Sequence, residues 1–255
     1  VAFIFVGSFF FVNPVVILVH GSFSSHSSWW RPGGSFFEPL QNHAEQLGHT
    51  VVPFMWSGQP DSHSIHLAGE LLAALIKSYS QEVILIGHSH GGNVINVASQ
   101  KLKQQQVLHA NPLNLALDVH ATTRDQKKYL IKRAYLLGTP VEQDFYSPNM
   151  DIIESVINFY SKGDHIQPML GFFDRIYSGV DRIANISVSF KKQSELDAKE
   201  PGHCRLYDPI VARLILFIPD VLKEHDIGNF QMFSYLTGGH VLFDELMGAF
   251  YLPVS

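Results

Sequence analysis

One cysteine in 255 residues, Cys204, leaves no intrachain disulfide and no thiolate cluster of the kind structural zinc sites use. Basic residues are scarce too: 18 Lys and Arg stand against 23 Asp and Glu, a formal net charge of -5. No basic stripe therefore points to nucleic acid or to an anionic membrane surface. Neither GxGxxG nor GxxxxGKS/T follows any strand-like run, which removes the common nucleotide cradles, and HExxH is missing as well. The 14 histidines include His63, His66, His88 and His90 at close spacing. A zinc site wants three or four convergent donors with supporting partners, and this spacing alone does not supply them. No metal and no cofactor is expected.

What the chain does have is apolar residues, 46% of the total, enough for one large domain with a substantial core. The first twelve residues, VAFIFVGSFFFV, are nearly all apolar. Two readings stand for them. One is the remnant of a secretory or anchoring segment, through which the chain would be exported or associate with a membrane, although the run is too short to span a bilayer. The other is a strand pair, Ala2 to Val6 and Phe9 to Val12, turning at Gly7 and Ser8. The rest, 13–255, reads as a single domain with insertions near 107–128 and 167–182.

From Pro14 onward short apolar runs alternate with longer amphipathic ones. Val15 to Val19, Val51 to Phe54, Val83 to Ile86, Arg133 to Leu137, Ser155 to Tyr160 and Asn185 to Phe190 read as strands, several of them apolar enough to be buried on both faces. Helices are expected around Phe37 to Gln46, Ile65 to Lys77, Asn93 to Gln104, Pro209 to Lys223 and Phe243 to Phe250. Such alternation implies an α/β fold with a mostly parallel central sheet and helices on both faces.

The informative motif is Gly87-His88-Ser89-His90-Gly91, directly after one strand and directly before a helix. A serine at so sharp a turn has a strained backbone, and flanking glycines let strand and helix approach. Its hydroxyl stands above the sheet edge at a helix N-terminus, where developing negative charge is favoured. A second element, Val15-Val16-Ile17-Leu18-Val19-His20-Gly21 followed by Ser22-Phe23, is a buried strand ending where a loop could offer a backbone N–H to an oxyanion.

Together these segments resemble the α/β-hydrolase superfamily, in particular its bacterial lipase and esterase branches. The resemblance implies an α/β-hydrolase fold, Ser89 as nucleophile, and an oxyanion hole from the backbone N–H of His90 with that of Ser22 or Phe23. His20 is then structural. The superfamily orders its triad serine, acid, histidine along the chain. Asp164, in the loop Gly163-Asp164-His165-Ile166-Gln167-Pro168 after a strand, is the leading acid, with Asp144 and Glu142 behind it. His203 leads as base because it follows the last expected strand and precedes a helix; His240 is the alternative, and His225 suits a helix end.

Trp29 and Trp30 follow the expected oxyanion loop, and Met169, Leu170, Phe172, Phe173, Ile176 and Tyr177 follow the expected acid. If these residues flank the serine rather than fill the core, they favour an acyl chain, with Trp29, Trp30, Met169 and Phe172 as the substrate contacts. The expected function is hydrolysis of a small-molecule carboxylic ester, lipid esters included. Thioesters, amides and acyl transfer would use the same triad, and a binding module on the same fold would have lost one of its members. Epoxide and haloalkane hydrolases place an aspartate where this chain has Ser89.

Overall fold

The computed structural model describes residues 13–109, 130–161, 163–166, 174–191, 202–207, 209–216, 229–235, 241–243 and 250–252. The apolar segment 1–12 lies outside them, as do His225, His240, most of the expected insertion near 107–128 and the first part, 167–173, of that near 167–182. Among the described residues no helix is long and apolar enough to cross a membrane.

Among the described residues nine strands form one sheet: β1 (Val15–Val19), β2 (Thr50–Phe54), β3 (Val83–His88), β4 (Ile131–Leu137), β5 (Ile153–Tyr160), β6 (Ile183–Lys191), β7 (Asn229–Tyr235), β8 (Val241–Phe243) and β9 (Phe250–Leu252). Their order is β2-β1-β3-β4-β5-β6-β7-β8-β9. Pairing is parallel from β2 through β7 and antiparallel at β7-β8 and β8-β9. The six expected strands are β1 to β6, each lengthened by a residue or more except β1. The ends of the last expected helix, Phe243 and Phe250, belong instead to β8 and β9 and pair with each other, and 244–249 lie outside the described residues. Three-residue strands carry too little periodicity to be told from a helix, and the Val, Phe and Tyr in them suit a sheet. Strand β7 had no counterpart in the sequence reading.

Alternate residues of the strands face opposite layers. Val16 and Leu18 of β1 pack with Ile84 and Ile86 of β3 against α1 (Phe37–Gln46) and the short α4 (Pro209–Leu214). Val15, Ile17 and Val19 pack on the other face with α2 (Ser62–Ser78) and α3 (His90–His109). Helix α2 is capped by Asp61, whose carboxylate accepts from the Ser64 N–H at 2.9 Å, and turns Ile65, Ala68, Leu72, Ala73 and Ile76 inward at helical spacing. Full burial of such side chains stabilises the fold by about 1.5–3 kcal/mol each.

Register decides where the site can form. Val19 lies opposite Gly87, His88 opposite Leu137, and Leu137 opposite Phe159. Strands β1, β3, β4 and β5 thus end on one line, and the chain order reverses between β1 and β3, where open α/β sheets leave a crevice.

Candidate active site

Ser89 is the single residue between β3 and α3 and holds a left-handed backbone with φ of +54°. A non-glycine residue is rarely found there, and the surroundings must fix it. They do: the Ser89 N–H donates to the Leu137 carbonyl at 2.9 Å, and the Ser89 carbonyl accepts from the Gly92 N–H at 2.9 Å. Two glycines make the approach possible. A Cβ on Gly21 would stand 2.7 Å from the Ser89 Cβ, and one on Gly91 would stand 2.5 Å from the Val19 carbonyl oxygen. Both distances are closer than packed atoms allow.

The loop after β1 lies beside the serine. His20 is buried between Trp30 and Trp56, its ring stacked 4.3 Å from one and 5.6 Å from the other. Its Nδ1–H donates to the Gly21 carbonyl at 2.8 Å, its carbonyl accepts from the Trp56 indole at 2.8 Å, and burial lowers its pKa. His20 is a neutral prop for the loop, in line with its structural reading. The Phe23 N–H donates to the Gly58 carbonyl at 2.9 Å, while the Ser22 N–H carries no such bond among the described residues. His90 is the first residue of α3, where N–H groups lack intrahelical partners.

Asp164 and His203 come together although 39 positions separate them. The His203 Nδ1–H donates to Asp164 Oδ2 at 2.6 Å, and both side chains are buried. An imidazole whose Nδ1–H is committed in this way presents its lone pair on Nε2 when neutral. Asp164 is braced from three sides: its Oδ1 accepts from the Ile166 N–H at 3.0 Å, its carbonyl accepts from the Arg175 guanidinium at 2.5 Å, and its N–H donates to the Ser161 carbonyl at 3.2 Å. Gly138 closes the other side of His203; a Cβ there would lie 3.3 Å from the histidine Nδ1. His203 opens the short 3-10 turn His203–Tyr207 that leads to α4.

His88 ties this pair to the serine turn. Its Nε2–H donates to the His203 carbonyl at 3.3 Å, and the two rings lie 4.7 Å apart. Burial holds the His88 pKa well below the ordinary histidine value, and that of His90 is pushed down to about 4 by burial and by the neighbouring His203. Both are neutral near pH 7.

The other expected residues fall as follows. Asp144 is exposed in a turn, and Glu142 is half-buried with its pKa raised by desolvation. Trp29 is buried against the site, stacked on Tyr207 at 4.4 Å and edge-on to His88 at 5.5 Å. Trp30 is 1% exposed, and its indole donates to the Ser24 carbonyl at 2.7 Å beneath the loop, a core position. Met169 and Phe172 lie outside the described residues. Tyr177, expected beside the site, is instead core: its hydroxyl accepts from the Asn96 amide at 3.0 Å on the α3 side of the sheet, which satisfies a phenol that could not be buried alone. No three His, Cys, Asp or Glu side chains among the described residues converge as a metal site would need.

Sequence reasoning missed three contacts: the Arg175 brace, the His88 tether, and a hydrogen bond between Ser22 Oγ and His90 Nδ1 at 3.0 Å. Only the last carried a signal, in that both residues had been singled out for their backbones.

A family model described as alpha/beta hydrolase family matches residues 16–190, well over half of the chain. The chain belongs to the alpha/beta hydrolase family. An extracellular alpha/beta-hydrolase from a Paenibacillus species is 22% identical, with 51% of this chain and 42% of that one covered and a TM-score of 0.31. The chain thus spans less than half of that enzyme. Mouse alpha/beta hydrolase domain-containing protein 10 is 14% identical over 82% of this chain and 90% of its own, with a TM-score of 0.44. An acetyl xylan esterase is 13% identical over 82% and 97%, with a TM-score of 0.41. No curated protein matches the chain.

Proposed function

We propose that the chain hydrolyses carboxylic esters through an acyl-enzyme, with Ser89 as nucleophile, His203 as general base and Asp164 as the acid that orients it. The observation that carries this reading is the 2.6 Å Asp164–His203 hydrogen bond, made on the same sheet edge as a serine at φ of +54°. The Asp164 carboxylate fixes the Nδ1–H tautomer and stabilises the imidazolium once it forms. His203 Nε2 takes the Ser89 proton as Oγ adds to the ester carbonyl. The oxyanion is met by the N–H groups of His90 and Ser22, since that of Phe23 is spent on Gly58. The imidazolium then protonates the departing alcohol, and water repeats the sequence to free the acid.

An apolar acyl group suits the surroundings, because Trp29 lies against His88 and Phe23 stands 73% exposed on the oxyanion loop. Incubation with a fluorophosphonate should label the wild-type chain, and Ser89→Ala should abolish labelling without altering the fold. Undiminished labelling of the mutant would overturn the assignment. A panel of esters of graded chain length, with the corresponding thioesters and amides, then defines the bond cleaved.

A further inference from the structure

The backbone N–H groups assigned to the oxyanion belong to two segments that meet only through the fold: the loop after β1 and the first turn of α3. Their side chains are joined. Ser22 Oγ lies 3.0 Å from His90 Nδ1, across 68 positions of chain. The rest of the loop is held loosely at this point, since the Ser24 N–H to Gly21 carbonyl and Ser24 Oγ to Ser22 carbonyl bonds are both 3.4 Å long. On the far side, Phe23 is anchored to Gly58, in a left-handed conformation with φ of +60°. The Ser22 position is therefore set by Phe23 from one direction and by His90 from the other. His90 is 6% exposed, so its ring has little room to turn, and it starts a twenty-residue helix packed on the sheet.

We infer that the Ser22–His90 side-chain pair is a positioning clamp that fixes the spacing of the two backbone N–H donors. The inference rests on the serine-hydrolase reading above. It goes beyond a backbone-only oxyanion hole, because it gives the side chains at these two positions a task. Both act through the donors and not on the substrate. Neutral His90 keeps a second positive charge away from His203 near pH 7. Donors aimed in advance at the oxyanion cost no reorganisation during reaction, which is why their spacing matters more in the transition state than in the bound substrate.

The test is a double-mutant cycle on the full chain, using Ser22→Ala, His90→Leu, the double variant and His90→Asn. Two readouts are needed: kcat and KM on a p-nitrophenyl ester, and the rate of fluorophosphonate labelling. Complete loss of one oxyanion donor costs about 10²–10³-fold, so loosening it should lower kcat by roughly 10-fold with KM changed less than about 2-fold. The double variant should fall no further than the weaker single, because both changes break one bond. His90→Asn, whose amide can still meet Ser22 Oγ, should recover most of the loss. Additive losses, losses confined to KM, or an Asn variant no better than Leu at an unchanged melting temperature would each overturn the clamp. Should His90→Leu fail to fold, Ser22→Ala against wild type decides alone: an unchanged kcat overturns the clamp. A wild-type chain labelled at Ser89 with an additive cycle leaves the hydrolase reading standing without the clamp, whereas an unlabelled wild-type chain removes both.

Discussion

The two halves of the site are held by different forces. Around Ser89 close main-chain approach dominates: Gly21 against the serine Cβ, Gly91 against the end of β1, and the Ser89 N–H on Leu137. Around Asp164 and His203 they are side-chain hydrogen bonds, from Arg175, from the His88 ring, and from the buried Asn158–Asn185 pair that pins residues 175–177. Steric contact of the first kind tolerates no added atom. Polar contact of the second kind tolerates changes of shape but not the loss of a partner.

The sharpest way to separate the halves is at the acid. Asp164→Asn should lower kcat by ~10⁴-fold, since the amide favours the wrong histidine tautomer. Asp144→Asn, at an exposed turn, should leave kcat nearly unchanged. Comparable losses in steady-state assays of the two variants would erase the distinction. Next comes Gly91→Ala, whose methyl would press on the Val19 and His20 carbonyls. Overpacking of this kind costs about 1–3 kcal/mol, so the denaturation midpoint and kcat should fall together. Asn158→Leu should act on stability more than on turnover. It removes the 2.8 Å bond to the part-buried Arg175 carbonyl and the 3.0 Å bond to Asn185 Oδ1, which keeps only the Tyr177 N–H, at a cost of about 1–3 kcal/mol.

A further effect is set by pH. His20, His88 and His90 all surround the serine turn with folded pKa values depressed by burial. Unfolded histidines bind protons from about pH 6.5 downward while the folded ones do not, so stability is fully present above that value. It declines as pH falls, for His90 until about 4. Chemical denaturation at pH 7 and pH 5 should show the lower stability at pH 5, and His90→Asn should flatten the slope. A steeper slope in the variant would contradict the account.

This contrast also explains what could be read from the sequence. Close backbone approach demands glycine at fixed offsets, so Gly87 to Gly91 stood out as a local pattern, and strand β1 and helix α1 were placed to the residue. Asp164 and His203 were reached through chain order and glycine-containing loops, a weaker signal that left Asp144 and His240 in contention. The Arg175–Asp164 bond could not be read at all, and of the Ser22–His90 bond only the two residues, not their contact. Which side chains meet across two loops depends on the register of the sheet between them, and no local period encodes it. The same limit applies to β7, β8 and β9, where short pairing partners at the end of the sheet outweighed a weak helical pattern around Phe243 to Phe250.

The chain contains three tryptophans, Trp29, Trp30 and Trp56, and all are buried within ring contact of His20 or His88. Intrinsic fluorescence is therefore a local gauge rather than a global one. Emission should respond to events at the carboxyl edge of β1 and β3, including occupation of the serine's surroundings by an inhibitor, and stay silent to fraying at β8 and β9. A spectroscopic titration of the site is thus available in the native chain without attaching any label.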